Sequence, residues 1–384
     1  TAIPDMVKQL DTRHYVKLAL NDDLSAHLLD SFLDDLDPNR QFLLQSDINE
    51  FQKYRTSLDN ELKKAQLDAG FAIFNRYRQR MIDRLQSALD TLPETIKAMD
   101  FEVDEDIQLD RAKEAWPKDS AAADEIWRKQ IKNRVLGLQL AGKDQAGIID
   151  LLSKRFKNQI KRMSQLESED AFQLYANAFA SLYDPHTDYF SPRLSENFQI
   201  NMSLKLEGIG AVLQMEDDYT KVVRLVPAGP ADKQGQLQPA DKIIGVAQGK
   251  NGEMQDVIGW RLDDVVDLIR GAAGSFVRLD VIPAVAQSEE ARREIIIERN
   301  EVKLEDQSAK GELIEFKDSH GVTHPVGLVG VPTYQLVFEA YRSGDPAFRS
   351  TTRHVPRILG ELLRQGAEGS GIGLRDNGGG ALRG

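Results

Sequence analysis

Hydrophobic residues recur at helical spacing along the first part of the chain, up to Tyr183. Apolar positions three, four or seven residues apart lie on one face of an amphipathic helix. The pattern predicts helices over 48–62, 71–89, 124–136 and from 149 onward, with apolar positions at Ile48, Phe51, Leu58, Leu62, Phe71, Phe74, Met81, Leu85 and Leu89. We therefore predict a helical N-terminal domain over residues 1–195.

A turn-rich segment at 184–192, with the sequence DPHTDYFSP, ends this helical pattern. Its prolines and polar residues interrupt regular structure. One helical run follows at 262–270, among short β-type runs separated by Gly and Pro at 210–214, 222–226, 242–246, 277–282 and 294–298. Short strands with one or two helices in about 90 residues predict a compact α+β module. We assign this module to residues 196–285.

The remaining residues, 286–384, form a third predicted region. A charged stretch runs to His324, an apolar run covers 326–331, and a helix is predicted at about 351–364. Pro356 lies inside that helix, where it removes a backbone donor and is costly. Together the three regions predict an α+β fold.

Composition excludes several classes of function. The 384 residues include 61 acidic and 49 basic ones, a net charge of −12. This balance argues against general affinity for nucleic acid, because phosphate contacts need an excess of Lys and Arg. Cysteine is absent, which excludes disulfides, thiolate metal sites and cysteine nucleophiles. The histidines show no His-Glu-x-x-His or comparable metal spacing, so we expect no metal and no cofactor.

The sequence also bears on whether the chain spans a membrane and on the cellular compartment in which it is found. It has no apolar run of the length that a membrane span needs. Its first residues are not a basic-then-apolar leader, so we expect a soluble chain, either cytosolic or already processed. The absence of cysteine fits the oxidising periplasm, and it fits many cytoplasmic proteins as well.

The segment 205–214, KLEGIGAVLQ, is the first that indicates a binding site. Two glycines flank one apolar residue before a predicted strand, and such a loop can turn successive backbone N–H groups toward an anion. We predict that a C-terminal carboxylate binds there while its peptide pairs with the strand edge, at Gly208, Ile209, Gly210 and Ala211. The alternative is a Gly-rich hairpin packed on an ordinary core helix, which the short glycine pattern alone favours.

The predicted helix at 262–270 would complete this site. Leu262, Val266 and Ile269 occupy positions i, i+4 and i+7, so they share one face of the helix. We predict that these three side chains form the apolar wall that receives the last side chain of a bound peptide.

Several motifs in the same order resemble one family. The segment 184–192 resembles the signature that precedes the PDZ insertion of the tail-specific proteases, also called C-terminal processing peptidases. The segment 374–382, LRDNGGGAL, resembles their glycine loop. The helical N-terminal region is similar to that of the large periplasmic members. Four segments resemble the PDZ domain of this family in their order and spacing: 226–231, 237–246, 260–271 and 274–281.

The resemblance implies a serine endopeptidase that cleaves with a Ser/Lys dyad, and it makes 286–384 the N-terminal part of the peptidase core. In such a dyad, a partly buried lysine loses its proton more easily and acts as the general base. By the family pattern, the backbone N–H of Gly380 is one donor of the oxyanion hole. The serine and lysine lie downstream of this loop in the family. We therefore expect these 384 residues to lack the dyad and to be inactive as given.

The resemblance also implies partners and a location. The PDZ domain would bind apolar C-terminal tails of substrate proteins, and its occupancy would gate the protease site. A helical-repeat lipoprotein adaptor is a further expected partner, and the expected location is the periplasm. A non-catalytic, PDZ-containing peptide-binding or adaptor protein remains the alternative.

Overall fold

The computed structural model describes residues 2–203, 205–286, 291–303, 308–345, 348–375 and 377–381. The chain divides into two compact units, Thr1–Ser191 and Pro192–Gly384. The first unit is helical and the second combines helices with sheets. This confirms the α+β prediction, while the domain boundaries at 195 and 285 stay predictions.

Helices make up the regular structure that the first unit shows in residues 2–191. Asn21, Asp119 and Asp144 begin three of them, and each side chain accepts a hydrogen bond from a backbone N–H of the first turn. Such caps satisfy donors that have no partner within the helix. The helices are α1 (Ile3–Arg13), α2 (Asp22–Leu36), α3 (Gln45–Phe51), α4 (Leu58–Lys63), α5 (Asp68–Lys97), α6 (Ser120–Leu140), α7 (Gln145–Ser164) and α8 (Ser168–Ser181).

Two hydrophobic cores share the long helix α5. Its first half buries Ile73 and Phe74 in a cluster with residues of α2 and α8. Its second half buries Leu85 and Leu92 in a cluster with residues of α6 and α7. The single helix predicted over 48–62 is wrong, because a 3₁₀ turn at Gln52–Tyr54 separates α3 from α4.

The second unit begins with a helix and continues mainly as short strands. Its helices are α9 (Pro192–Ser203), α10 (Pro230–Gln234), α11 (Leu262–Ile269), α12 (Phe338–Arg342) and α13 (Thr351–Arg364). Its strands are β1 (Lys205–Gly208), β2 (Ala211–Glu216), β3 (Tyr219–Leu225), β4 (Lys242–Gln248), β5 (Gln255–Asp256), β6 (Phe276–Ile282), β7 (Arg293–Glu298), β8 (Asn300–Lys303), β9 (Lys310–Lys317), β10 (Thr323–Gly330) and β11 (Gly369–Gly373).

Most of these strands belong to one sheet with the order β2-β3-β4-β6-β7, in which β5 also pairs with β4. One hydrophobic cluster combines inward side chains of the sheet with α11, including Val222, Val265 and Leu279. Strands β1 and β8 form a separate antiparallel pair, which places Gly208 opposite Asn300. The end of β1 and the start of β8 are therefore neighbours, and Arg270, the residue after α11, lies close to Gly208 as well.

A second sheet lies further along the unit, in the order β11-β10-β9. Helix α13 packs on it where Gly311 and Gly327 leave room, since a Cβ on either glycine would meet the side chain of Leu362. The helix predicted at 351–364 is confirmed, with Pro356 inside it. In the part of the chain that the structure describes, no helix combines the length and apolarity of a membrane span.

Candidate functional site

The loop between β1 and β2 directs its carbonyl groups into the module. The Ile209 C=O accepts from the Ala231 N–H at 2.8 Å, and the Gly210 C=O accepts from the Val226 N–H at 2.8 Å. The described peptide bonds are all trans, and in a trans peptide the N–H points opposite to the C=O. The N–H groups of Gly210 and Ala211 therefore point outward. Two adjacent outward N–H groups form an anion-binding concavity.

Gly210 holds this loop in a conformation that other residues rarely adopt. Its φ is +73°, in the left-handed region that glycine enters without strain. A Cβ there would lie 3.2 Å from the Gly229 Cα and 3.4 Å from the Val302 side chain. Backbone conformation and close packing together require glycine at this position.

Strand β2 supplies the edge on which a peptide can pair. It ends the sheet order beside β3, and no other described strand pairs with it. The bond from Val226 to Gly210 makes Ala211 and Leu225 a non-hydrogen-bonded pair. In such a pair the backbone groups face away from the partner strand. The N–H and C=O of Ala211 are thus available to an added strand.

Helix α11 lies alongside β2 and carries the predicted apolar wall. Leu262 and Val266 are half-buried, so each offers surface to a ligand. Ile269 is only 3% exposed and packs in the module core with Val265. Of the three predicted wall residues, Ile269 therefore exposes almost no surface, and its role stays a prediction.

A cleft of about 480 Å³ opens beside the loop. Its lining comes from α9, β1, β8 and the residues that follow α11, and it includes Ile200, Glu207 and Arg270. Arg270 lies close to the loop, since a Cβ on Gly208 would be 3.8 Å from the Arg270 Cα. The loop, the strand edge and the helix wall thus meet at one end of the module, although their roles stay predictions.

The glycine loop at 377–381 pairs with the segment after β10. The Tyr334 N–H donates to the Gly379 C=O at 2.9 Å, and the Ala381 N–H donates to the Tyr334 C=O at 2.8 Å. This is a parallel bridge between Tyr334 and Gly380. In a parallel bridge the middle residue directs its own N–H to the opposite side. The N–H of Gly380 therefore points away from Tyr334.

The neighbouring amides of this loop have partners. Gly378 donates to the Pro332 C=O at 3.2 Å and Gly379 donates to the Asn377 side chain at 2.7 Å. Within the described ranges, no acceptor receives the N–H of exposed Gly380. An unpaired, fixed backbone donor has the geometry that an oxyanion hole uses. Its role in catalysis stays a prediction, and so does the expected absence of the Ser/Lys dyad.

One residue of this region had no role in the sequence-based predictions. Arg299 is 3% exposed and donates to two carbonyl groups at the end of α11. The sequence signal that could have identified Arg299 as buried is the alternation of β7. Ile295 and Ile297 point inward, and Arg299 follows with the same period of two. Among the described residues, no cluster of three or more metal-ligating side chains occurs.

Comparison with protein families agrees with this architecture. A tail-specific protease N-terminal domain model matches residues 6–193, and a PDZ domain model matches residues 197–282. The two models together describe a PDZ-bearing chain with a helical tail-specific protease N-terminal domain. The chain belongs to the C-terminal processing protease family.

Individual relatives are considerably longer than this chain. It is 38% identical over 375 residues to the tail-specific protease of Haemophilus influenzae, which covers 97% of this chain and 50% of that protein. It is 28% identical over 234 residues to the carboxy-terminal processing protease CtpB of Bacillus subtilis, which covers 61% of this chain and 42% of that protein. The chain thus spans half or less of the length of these relatives.

Two solved structures are also similar in sequence. The PDZ domain of a carboxy-terminal protease from Vibrio cholerae, in complex with peptide, is 50% identical, covers 26% of this chain and 100% of that chain, and has a TM-score of 0.25. The photosystem II D1 C-terminal processing protease is 20% identical, covers 58% of this chain and 53% of that chain, and has a TM-score of 0.28.

Proposed function

We propose that this chain recognises the apolar C-terminal tails of substrate proteins through its PDZ domain, as the recognition part of a serine endopeptidase. The tail's carboxylate accepts hydrogen bonds from the outward N–H groups of Gly210 and Ala211. The preceding residues of the tail extend β2, and the last side chain rests against Leu262 and Val266. The observation that carries the proposal is the pair of outward N–H groups at the start of an open strand edge.

Residues 286–384 then contribute part of the peptidase site. We propose that the N–H of Gly380 donates to the oxyanion that forms when a serine attacks the peptide bond. The Ser/Lys dyad that completes the site in this family is assigned to no residue of this chain. These 384 residues alone are therefore expected to bind tails without cleaving them. A serine-dependent cleavage of an unstructured substrate by this chain would contradict that expectation.

Membership of the family also supports a proposal about the protein's cellular location and its partner. The large members that this chain resembles are periplasmic enzymes, and we propose the same location. A helical-repeat lipoprotein adaptor is the proposed partner beyond the substrate tails. Recovery of the protein in a periplasmic fraction tests the first point. Co-purification with a lipid-anchored, helical-repeat protein tests the second.

Calorimetric titration of the 384-residue chain tests tail binding. One peptide ends in apolar residues with a free carboxylate, a second has the same sequence with a C-terminal amide, and a third ends in a charged residue. The first peptide should bind at least tenfold tighter than the other two, because the amide lacks the anion and the charged end cannot pack on an apolar wall. Equal affinity for the acid and the amide would refute carboxylate capture by the loop.

A further inference from the structure

The end of helix α11 is an unfavourable neighbour for an anion. The last carbonyl groups of a helix carry a partial negative charge. Helix α11 ends at Ile269, and its C-cap residue Arg270 lies against Gly208, with 3.8 Å between the Arg270 Cα and the position of a Cβ on Gly208. Glu207 adds another negative group, since its Oε2 accepts from the Ala273 N–H at 3.2 Å. A carboxylate in the loop would meet these negative groups together with the positive charge of Arg270, whose Nη1 donates to the Asn197 Oδ1 at 2.8 Å.

Arg299 binds the carbonyl groups that carry this partial negative charge. Its Nε donates to the Ile269 C=O at 2.8 Å, and its Nη2 donates to the Leu268 C=O at 2.9 Å. Hydrogen bonds from a cation to the last carbonyls of a helix stabilise the C-terminal end. The guanidinium therefore offsets the negative end of α11 at the place where that end approaches the loop.

The remaining partners of Arg299 are neutral. Nη1 donates to the Ser275 Oγ and to the Phe276 C=O, each at 3.0 Å, and Nη2 also donates to the Gln248 Oε1 at 2.7 Å. No carboxylate of a described residue forms an ion pair with it. Burial lowers the pKa of Arg299, yet an arginine keeps its proton in proteins. The module thus holds a buried positive charge that no acidic side chain in the described ranges neutralises.

Backbone pairing fixes this charge beside the loop. Asn300, the next residue, lies opposite Gly208 in the β1–β8 pair. On the other side, Gly271 brings its backbone close to the guanidinium, because a Cβ there would be 3.1 Å from the Arg299 Cζ. The Arg299 guanidinium is therefore held on one side by the β1–β8 pair and on the other by the residues that end α11. The loop between β1 and β2 lies next to both.

We propose that Arg299 is a positioning residue for tail binding: it neutralises the C-terminal end of α11 and so makes the neighbouring loop accept the carboxylate of a substrate tail. This inference rests on the proposed function, because it assigns an electrostatic cause to the preference for a free carboxylate. Arg299 is buried behind the loop and does not contact the tail itself.

The ratio of affinities for the acid and amide peptides tests the proposal. Arg299→Gln removes the charge, and the preference for the acid should fall about tenfold while the amide peptide binds nearly as before. Arg299→Lys keeps the charge and should retain most of the preference. The matched control is Arg293→Gln, which removes an arginine six residues earlier, roughly 20 Å away along the strand. It should leave the ratio unchanged.

A second variant covers the possibility that Arg299→Gln does not fold. Gln248→Glu is nearly isosteric and places a carboxylate beside the Arg299 Nη2, so it neutralises the cation without removing it. It also removes the hydrogen bond from the Gln248 Nε2 to the Leu268 C=O, which leaves the end of α11 more negative and acts in the same direction. The preference for the acid should again fall about tenfold. An unchanged ratio in Gln248→Glu or in Arg299→Gln would overturn the proposal. So would an equal loss of both affinities, or a loss in Arg299→Lys as large as in Arg299→Gln.

The wild-type chain separates this proposal from the proposed function. If the wild-type chain does not distinguish the acid from the amide, carboxylate capture itself fails, and the role of Arg299 fails with it. If the wild-type chain prefers the acid and the variants keep that preference, only the role of Arg299 is refuted.

Discussion

Arg193 of α9 and Asp264 of α11 form an ion pair, with 2.9 Å between the Nη2 and Oδ1 atoms. The same Nη2 lies 2.9 Å from the Oδ2 of Asp267. A third polar contact runs from the Nη1 of Arg270, the residue after α11, to the Asn197 Oδ1 of α9 at 2.8 Å. No residue of α9 is fully buried. Polar contacts therefore contribute to holding α9 against the helix that carries the peptide wall.

Arg193→Ala should loosen α9 without unfolding the module. Exposed ion pairs contribute less than about 1 kcal/mol each, so the thermal midpoint of the unit should change little. The amides of α9 should exchange with deuterium several-fold faster, because local opening responds to the few contacts of that element. Arg193→Lys, which keeps the charge, is the control and should exchange nearly as the wild type does. Unchanged exchange in the alanine variant would show that apolar contacts hold α9.

Gly210→Ala should abolish tail binding. The substitution adds backbone strain of about 1–3 kcal/mol, and it places a Cβ 3.2 Å from the Gly229 Cα. Gly235→Ala is the matched control, because its φ of +74° is nearly the same and no atom lies within 4 Å of a Cβ there. Both variants should lose stability in urea denaturation, and only Gly210→Ala should lose affinity for the apolar-ended peptide. Loss of binding in both would mean that strain alone is responsible.

The sequence predicted some elements closely and missed others, for physical reasons. The helix at 262–270 and the strand at 277–282 match α11 and β6 within one residue, because apolar period and Gly/Pro punctuation are local signals. Helix α9 was missed since it buries no residue and so has no strong apolar stripe. Strand β9 was missed because all eight of its residues are exposed. The partners of Arg299 depend on contacts between distant elements.

Adjacent valines on α11 should separate stability from recognition. Val265 is fully buried, so Val265→Ala should destabilise the module by about 2 kcal/mol and leave the affinity of the folded protein unchanged. Val266 is half-buried on the wall, so Val266→Ala should weaken binding of an apolar-ended peptide several-fold with little loss of stability. Ile269→Ala should resemble Val265→Ala. Urea denaturation and calorimetry measure the two effects, and a binding defect without destabilisation at Ile269 would contradict its placement in the core.

His324 should make the second sheet slightly more stable in mild acid than at alkaline pH. Its Nδ1 lies 2.7 Å from the Glu368 Oε2 and its Nε2 lies 3.5 Å from the Asp318 Oδ2. These two carboxylates raise the pKa of His324 in the folded state. A raised folded-state pKa contributes stability that is fully present below the ordinary value of about 6.5 and is lost as pH rises through the raised value.

His324→Gln tests this pH dependence. Thermal midpoints measured from about pH 5.5 to 8.5 bracket the ordinary pKa of histidine. The wild-type midpoint should fall across this range by more than that of His324→Gln. His320→Gln, a substitution at another exposed histidine near the same strand, is the control and should behave as the wild type does. Identical pH profiles for all three proteins would show that the His324 contacts contribute nothing.

Gly380→Ala should break the pairing between the glycine loop and Tyr334. A Cβ on Gly380 would lie 2.3 Å from the Tyr334 backbone oxygen, far inside van der Waals contact, and backbone atoms cannot rotate away as a side chain would. The two hydrogen bonds of the bridge should open, so the amides of Tyr334 and Ala381 should exchange with deuterium at least tenfold faster. Gly378→Ala is the matched control in the same loop, because no atom lies within 4 Å of a Cβ there. Tail binding should be normal in both variants, since the peptide groove shares no residue with this loop. If Gly380→Ala keeps the exchange protection of Tyr334, then the bridge does not fix the direction of the Gly380 N–H, and the oxyanion role proposed for it loses its structural support.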